Sequence, residues 1–281
     1  MKPSCIIITL MVILTMIVIV VMVKFATEIS VEERRRDSVE LSGDVRKIHK
    51  TMGLVAVKDD AALIKMAERF PYLAAFTRNS STSWHFACFG ALVVSSWVVT
   101  AARCRRLGAT HRALLLPELT APGNRTRTHP VLYWKLHDDY NATRPELYNI
   151  AVVKLYINQA TRKSAVVQET KVNDLVQASI WKTLTTMTHE EYLTNDVDKY
   201  TFKLTDRSRC SDVSGVDLDD GVICVDMSGH EDCFVHEFGP IFFGNRIVGV
   251  LAVKPVSCVA KLAIFTNVSH YSHWILKTAR D

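Results

Sequence analysis

Residues 88–104 read CFGALVVSSWVVTAARC. β-Branched and aromatic residues dominate the stretch, and a run of small residues then leads through Arg103 to a second cysteine. Such residues suit a pleated, half-buried surface, so the stretch reads as β structure. The same texture extends on both sides. PYLAAFT, HFACFGALVVSSWVVTA, HRALLLPE, YNIAVVKLY, YTFKLT, GVICVDM, PIFFGNRIVGVLAV and LAIFTNV are apolar runs of strand length separated by polar turns. Their regular spacing argues for an all-β sandwich or barrel. FFGNRIVGV predicts a hairpin turning at Gly-Asn. One segment differs: in NVSHYSHWILKTARD, residues Val268, Tyr271, Trp274, Ile275 and Leu276 share one helical face. An amphipathic C-terminal helix packed on the β body is expected.

A chain of 281 residues is long enough to bury a full core. Its net charge of +5, with 22% charged residues, is too mild to imply nucleic-acid binding, and no basic face with interleaved aromatics is present. The N-terminus is more informative. Residues 6–23, IIITLMVILTMIVIVVMV, carry no charge. As a helix this run rises about 27 Å, close to the hydrocarbon thickness of a bilayer. A cleaved signal peptide has a shorter apolar region and small residues at its exit. Here the exit is Met22, Val23, Lys24, Phe25, Ala26, which favours an uncleaved signal anchor with residues 5–23 in the membrane. The alternative is a removed signal peptide and a secreted product. A buried soluble helix is disfavoured by the lack of a polar face. The expected organisation is a transmembrane anchor over 1–24, a charged stalk over 25–53 and a folded domain over 54–281.

Basic residues flank both ends of the run, with Lys2 on one side and Lys24 and Arg34–Arg36 on the other. Charge bias alone would place the C-terminal bulk inside. Four glycosylation sequons, at Asn79, Asn124, Asn141 and Asn267, argue the other way. So do the seven cysteines. Cys5 lies at the membrane edge, as a free thiol or a lipidation site. The remaining six, Cys88, Cys104, Cys210, Cys224, Cys233 and Cys258, read as a disulfide framework, for which fifteen connectivities exist. A zinc site would want CxxC pairs, and none occurs. The domain is therefore expected outside the cell or in a lumen, on a single-pass membrane protein.

PYLAAF, CFGALVVSSWVVTAARC, HDDYNATRPELYNIAVVKL, CFVHEFGPIFF and AIFTNVSHYSHWI follow one another in an order and spacing that resembles a chymotrypsin-like (trypsin-family) serine protease domain, over residues 59–281. The resemblance implies two six-stranded antiparallel β-barrels, an active site between them and a C-terminal helix. It also implies the pairing Cys88–Cys104, Cys210–Cys224 and Cys233–Cys258. The family's chemistry needs a nucleophilic serine, a histidine base and an aspartate that fixes the histidine's tautomer.

Set on these motifs, the histidine of TAAHC falls on Arg103, the aspartate of DIALL on Asn149, and the serine of GDSGGP on Glu237. A guanidinium cannot accept a proton near neutral pH, and a carboxylate is a poor acyl-transfer nucleophile. Val235 stands where a glycine supplies an oxyanion-hole N–H, and Pro255 interrupts the segment that pairs with substrate. The spacing of the family's activation site falls on Lys58–Ala62, KDDAA, with His236 at the position of the aspartate that receives the new amino terminus. An amino terminus with two aspartates would enter an apolar pocket only at a large desolvation cost. No catalytic residue, cofactor or metal is expected. Arg103 and Glu237 would form a charge-assisted pair across the former cleft, with Asn149 turned toward the guanidinium, or else both point into solvent, where a pair contributes little. Glu231, with Asp232, is a candidate for the floor of a specificity pocket, but the loss of the neighbouring SWG segment favours a solvated loop. His230, Cys233 and His236 as metal ligands conflict with the disulfide assigned to Cys233.

The function expected is that of a membrane-anchored inactive serine protease homologue that acts by protein binding, as decoy, cofactor or regulator. Its partners would be proteins, active proteases or their substrates among them. The competing expectation is a serine endopeptidase of the trypsin family.

Overall fold

The computed structural model describes residues 60–79, 84–105, 111–119, 128–157, 163–167, 175–185, 191–228, 239–253 and 261–280. The expected anchor, the stalk and Cys5 lie outside them. Among the described residues no helix is long and apolar enough to cross a membrane.

Helix α1 (Asp60–Arg69) enters the domain and buries Ala67, with Phe70 buried directly after it. Six strands then follow: β1 (Leu73–Asn79), β2 (Trp84–Val94), β3 (Trp97–Thr100), β4 (His111–Leu115), β5 (His129–Leu136) and β6 (Ala151–Leu155). They close into an antiparallel barrel in the order β1-β2-β3-β6-β5-β4, with the short helix α2 (Leu116–Leu119) after β4. A second set, β7 (Leu175–Thr185), β8 (Glu191–Thr205), β9 (Val222–Asp226), β10 (Ile241–Phe243), β11 (Arg246–Val253) and β12 (Leu262–Asn267), closes in the order β10-β11-β12-β9-β8-β7. Helix α3 (Arg207–Ser214) lies between β8 and β9, and helix α4 (Ser272–Thr278) ends the fold. Closure leaves neither sheet with an open edge, which removes the usual route to edge-to-edge association.

β3 and β6 are neighbours in the first barrel. All four residues of β3 are buried, as are Ala151, Val152, Val153 and Leu155 of β6. Their ladder runs from Trp97↔Lys154 to Thr100↔Ala151. β2 crosses β3 so closely that a Cβ on Gly90 would lie 2.7 Å from Val98 Cγ1 and 2.7 Å from the Val99 carbonyl, so only glycine fits there. Phe76, Leu92, Val98 and Ile150 fill the first core, and Ile275 and Ala279 from the C-terminal segment join it. Val176, Phe202, Val225, Val248 and Phe265 fill the second.

The hairpin at Gly-Asn is present: Phe243 pairs with Arg246, and Gly244 has φ 63°, a conformation that glycine adopts without strain. The terminal helix is shorter than the apolar pattern suggests. It begins at Ser272, and Val268 and Tyr271 are buried in the turn that precedes it. Two of the implied disulfides are formed. Cys88–Cys104 has a Cα–Cα distance of 5.6 Å, and Cys210–Cys224 one of 5.8 Å. Cys233 and Cys258 lie outside the described residues.

Candidate functional site

β3 ends at Thr100, and the chain turns at once into a single 3-10 turn, Ala102–Cys104. The turn is pinned at one end by the Cys88–Cys104 disulfide. Thr100 Oγ1 donates to the Phe89 carbonyl at 2.7 Å, tying the turn's entry to β2. Arg103 is therefore carried on a short, doubly anchored loop and is half-buried.

Asn149 approaches from the other side of the β3–β6 ladder, just ahead of β6. The residue before it, Tyr148, has φ 52°, uncommon for a bulky side chain, and its ring stacks on His137 at 5.3 Å. Ile150 N–H donates to the Tyr148 carbonyl at 2.8 Å, closing a tight bend centred on Asn149. Asn149 is fully buried. Every polar group of its side chain has a backbone partner. Its Oδ1 accepts from the Arg103 N–H at 2.9 Å, and its Nδ2 donates to the Pro145 carbonyl at 2.7 Å and to the Ala252 carbonyl at 3.4 Å. Its own carbonyl accepts from Thr266 Oγ1 at 2.9 Å. The partner types fix which end of the carboxamide is oxygen.

These bonds join the two barrels, because Ala252 belongs to β11 and Thr266 to β12. Arg103 does the same: its Nε–H donates to the Leu251 carbonyl of β11 at 3.3 Å. Tyr140 is nearby; burial raises its hydroxyl pKa, and the Arg103 charge pulls it back. The structure thus brings Arg103 and Asn149 together, but not as the sequence led one to expect. Asn149 meets the Arg103 backbone rather than the guanidinium: its side-chain acceptor, Oδ1, is drawn to the Arg103 N–H. Chemically, the pair offers a guanidinium, which has donors only, and a carboxamide committed to the backbone. Glu237, Val235, His236, His230, Glu231, Asp232 and Pro255 lie outside the described residues. Among the described residues no group of three His, Cys, Asp or Glu is placed to hold a metal ion.

The sequons fall in different settings. β1 ends at Asn79, and Asn124 lies outside the described residues. Asn141 is exposed, and its Oδ1 accepts from Thr143 N and Oγ1 at 3.0 and 2.9 Å. Asn267 is half-buried and donates its Nδ2 to the Asp220 carbonyl at 2.9 Å. Sequence reasoning missed Leu251, Ala252 and Pro145, which act through carbonyls that no side-chain motif records. The left-handed Tyr148 gave no signal either.

Two closed six-stranded antiparallel barrels, with Arg103 and Asn149 on loops where they meet, define a double-β-barrel protein. The chain belongs to the trypsin family: the family model described as Trypsin matches residues 64–275. A chymotrypsin-like serine proteinase of Haliotis rufescens is 28% identical over 222 residues, covering 74% of this chain and 87% of that protein. Human Kallikrein-8 is 26% identical over 200 residues, covering 68% and 76% respectively. Among solved structures, that of neuropsin, a serine protease expressed in the limbic system of mouse brain, is similar with a TM-score of 0.58 at 22% identity, covering 75% of this chain and 95% of that one. Kallikrein-related peptidase 10 in complex with Zn2+ gives a TM-score of 0.56 at 20% identity, covering 75% and 96%. At these identities the structural likeness speaks for the fold.

Proposed function

We propose that this member of the trypsin family is anchored in a membrane and works by binding protein, as decoy, cofactor or regulator, rather than by cutting it. The observation that carries the proposal is the Arg103–Asn149 arrangement. At the position where the family's motif has its histidine base, a side chain without an acceptor reaches the Leu251 carbonyl. Behind it, a carboxamide is held by one N–H and two carbonyls, a pattern a carboxylate could not satisfy. Glu237 at the serine position adds to the argument from sequence. Helix α1 adds another support, because residues 60–69 are wound into a packed helix where the resemblance would have a freed, extended activation terminus. The uncharged run over 6–23 supports the anchor, and the disulfides support an oxidising compartment.

A second reading, serine endopeptidase, is favoured by the relatives, which are named as proteinases and kallikreins. A fluorophosphonate probe separates the two. The full-length protein in detergent should remain unlabelled, alongside a trypsin control that labels to completion. Labelling of the chain would establish the peptidase and end the binding-only reading. N-terminal sequencing of the mature protein tests the anchor, and a start near Ala26 or Thr27 would replace it with a secreted form.

A further inference from the structure

On the outer wall of the first barrel, beside α4, lies a depression of about 550 Å³ whose walls include Trp97, Tyr133 and Trp274 and whose ammonium groups come from Lys135, Lys154 and Lys277. The volume is within the range of ligand sites, roughly 300–1,000 Å³. It stands apart from Arg103 and Asn149. Trp97 and Lys154 pair at one end of the β3–β6 ladder, and Arg103 and Asn149 follow from the other end, about 10 Å along the strands.

Two features of the depression ask for a particular occupant. The first is charge. Three lysines face one carboxylate, Asp138, which hydrogen-bonds Lys135. The Lys154 ammonium is held 4.9 Å above the Trp97 ring, and Lys277 projects exposed from α4. Neither has an acidic partner among the described residues. The second is an apolar extension along β5. A bulge between Val131 and Tyr133 breaks the alternation of the strand, so that the consecutive residues Leu132 and Tyr133 both face outward, 57% and 49% exposed. Tyr156, 54% exposed, sits beside them, its N–H bonded to the Pro130 carbonyl at 2.9 Å. Half of the six large exposed hydrophobics among the described residues thus gather in one place. From Pro130 to Lys135 the strip runs about 17 Å, the length of an extended segment of five or six residues.

We propose that this face docks an acidic, aromatic-bearing peptide segment of a partner protein. Its aromatic side chain enters the depression against Tyr133 and Trp274, with Trp97 forming part of the wall, its carboxylates meet Lys154 and Lys277, and its apolar flank covers Leu132 and Tyr156. Aromatic rings give large contact area at small entropic cost, and the lysines make the contact specific for negative charge. The proposal rests on the binding role argued above and supplies its partner chemistry.

The test uses full-length protein in detergent and a fluorescent peptide with one tyrosine and one leucine among glutamates, read by anisotropy. Binding should weaken about tenfold in Lys277→Glu and in Lys154→Gln, and also on raising salt, with Val213→Ser on α3 as an unaltered control. Leu132→Lys, at an exposed site, gives a fourth variant that should also weaken binding. No binding at about 1 mM peptide, equal binding of a peptide with lysines in place of glutamates, or indifference to all three substitutions would overturn the proposal. Tighter binding of a sulfated oligosaccharide at the same residues would overturn it too. The same samples are treated with the serine-directed probe. Labelling with peptide binding intact would remove only the binding-only reading, whereas failed peptide binding without labelling would remove only this docking site.

Discussion

Asn149 donates two hydrogens to carbonyls and accepts one, in a site with no access to water. Asn149→Asp keeps the size of the side chain but leaves two carbonyls facing an acceptor. The expected loss is about 1–3 kcal/mol near neutral pH, seen as a lower urea midpoint. Its pH dependence identifies the cause. Inside the fold the introduced carboxyl is favoured in its protonated, donating form, so the folded chain binds the extra proton more readily than the unfolded one. Stability of the variant relative to the parent should therefore fall as pH rises above the usual carboxylate range and recover on acidification. A loss that does not change with pH would mean that the carboxamide's donors are unimportant. The identity of residue 149 was legible in the NIAVV motif. Its role was not, because the partners are backbone carbonyls brought in from β11 and from the Pro145 turn.

Helix α3 shows what apolar periodicity overlooks. Of its eight residues only Cys210 is buried, so no hydrophobic face marks it. What holds it are its ends. Asp206 caps the N-terminus by accepting from Ser208 N–H at 2.9 Å, and Gly215 closes the C-terminus at φ 69°. An Asp before the run and a Gly after it were the available signals. The helix is also tied to β9 by Arg209 Nη1, which donates to Asp226 Oδ2 at 2.7 Å. Burial works against the charged form of Asp226, but bonds from Ser228 and Arg209 outweigh it and bring the carboxyl down to about 2. A carboxyl lowered by folding stabilises the fold above its unfolded value and loses that contribution as pH falls toward 2. Asp226→Asn should thus flatten the acid limb of the stability curve below about pH 4. At neutral pH it should cost on the order of 1 kcal/mol, discounted because Arg209 is 51% exposed. An unchanged acid limb in a series of urea melts would refute the assignment. β5 escaped the sequence pattern for a different reason. Its bulge places two neighbours on one face, and a period of two no longer fits HPVLYWKL.

At the scale of the whole molecule, dense Val, Ile and Phe made the β texture readable, whereas the two barrels were implied only by the family resemblance, with which the disulfides joining β2 to the turn after β3 and α3 to β9 agree. Helix α1 was not readable. Its sequence, DAALIKMAER, lies where the family resemblance suggests an activation segment, and its Ile64 is exposed while Ala67 is buried. Its junction with β1 nevertheless reaches both halves. Phe70, 1% exposed, packs against Phe242 of β10 at 5.7 Å, Tyr72 against the same ring at 4.8 Å, and Arg69 hydrogen-bonds Gln177 of β7. Phe70→Ala should cost about 3–5 kcal/mol and lower the melting of both barrels together in calorimetry. A variant in which one barrel melts early while the other keeps its temperature would show that the junction serves one half alone. The same junction has a mechanical meaning. Tension arriving along the chain from its N-terminal side meets Arg69, Phe70 and Tyr72 before it reaches the ladder of β1. Each of these residues grips the opposite barrel, so the load is divided between the two halves in shear instead of peeling a single strand away.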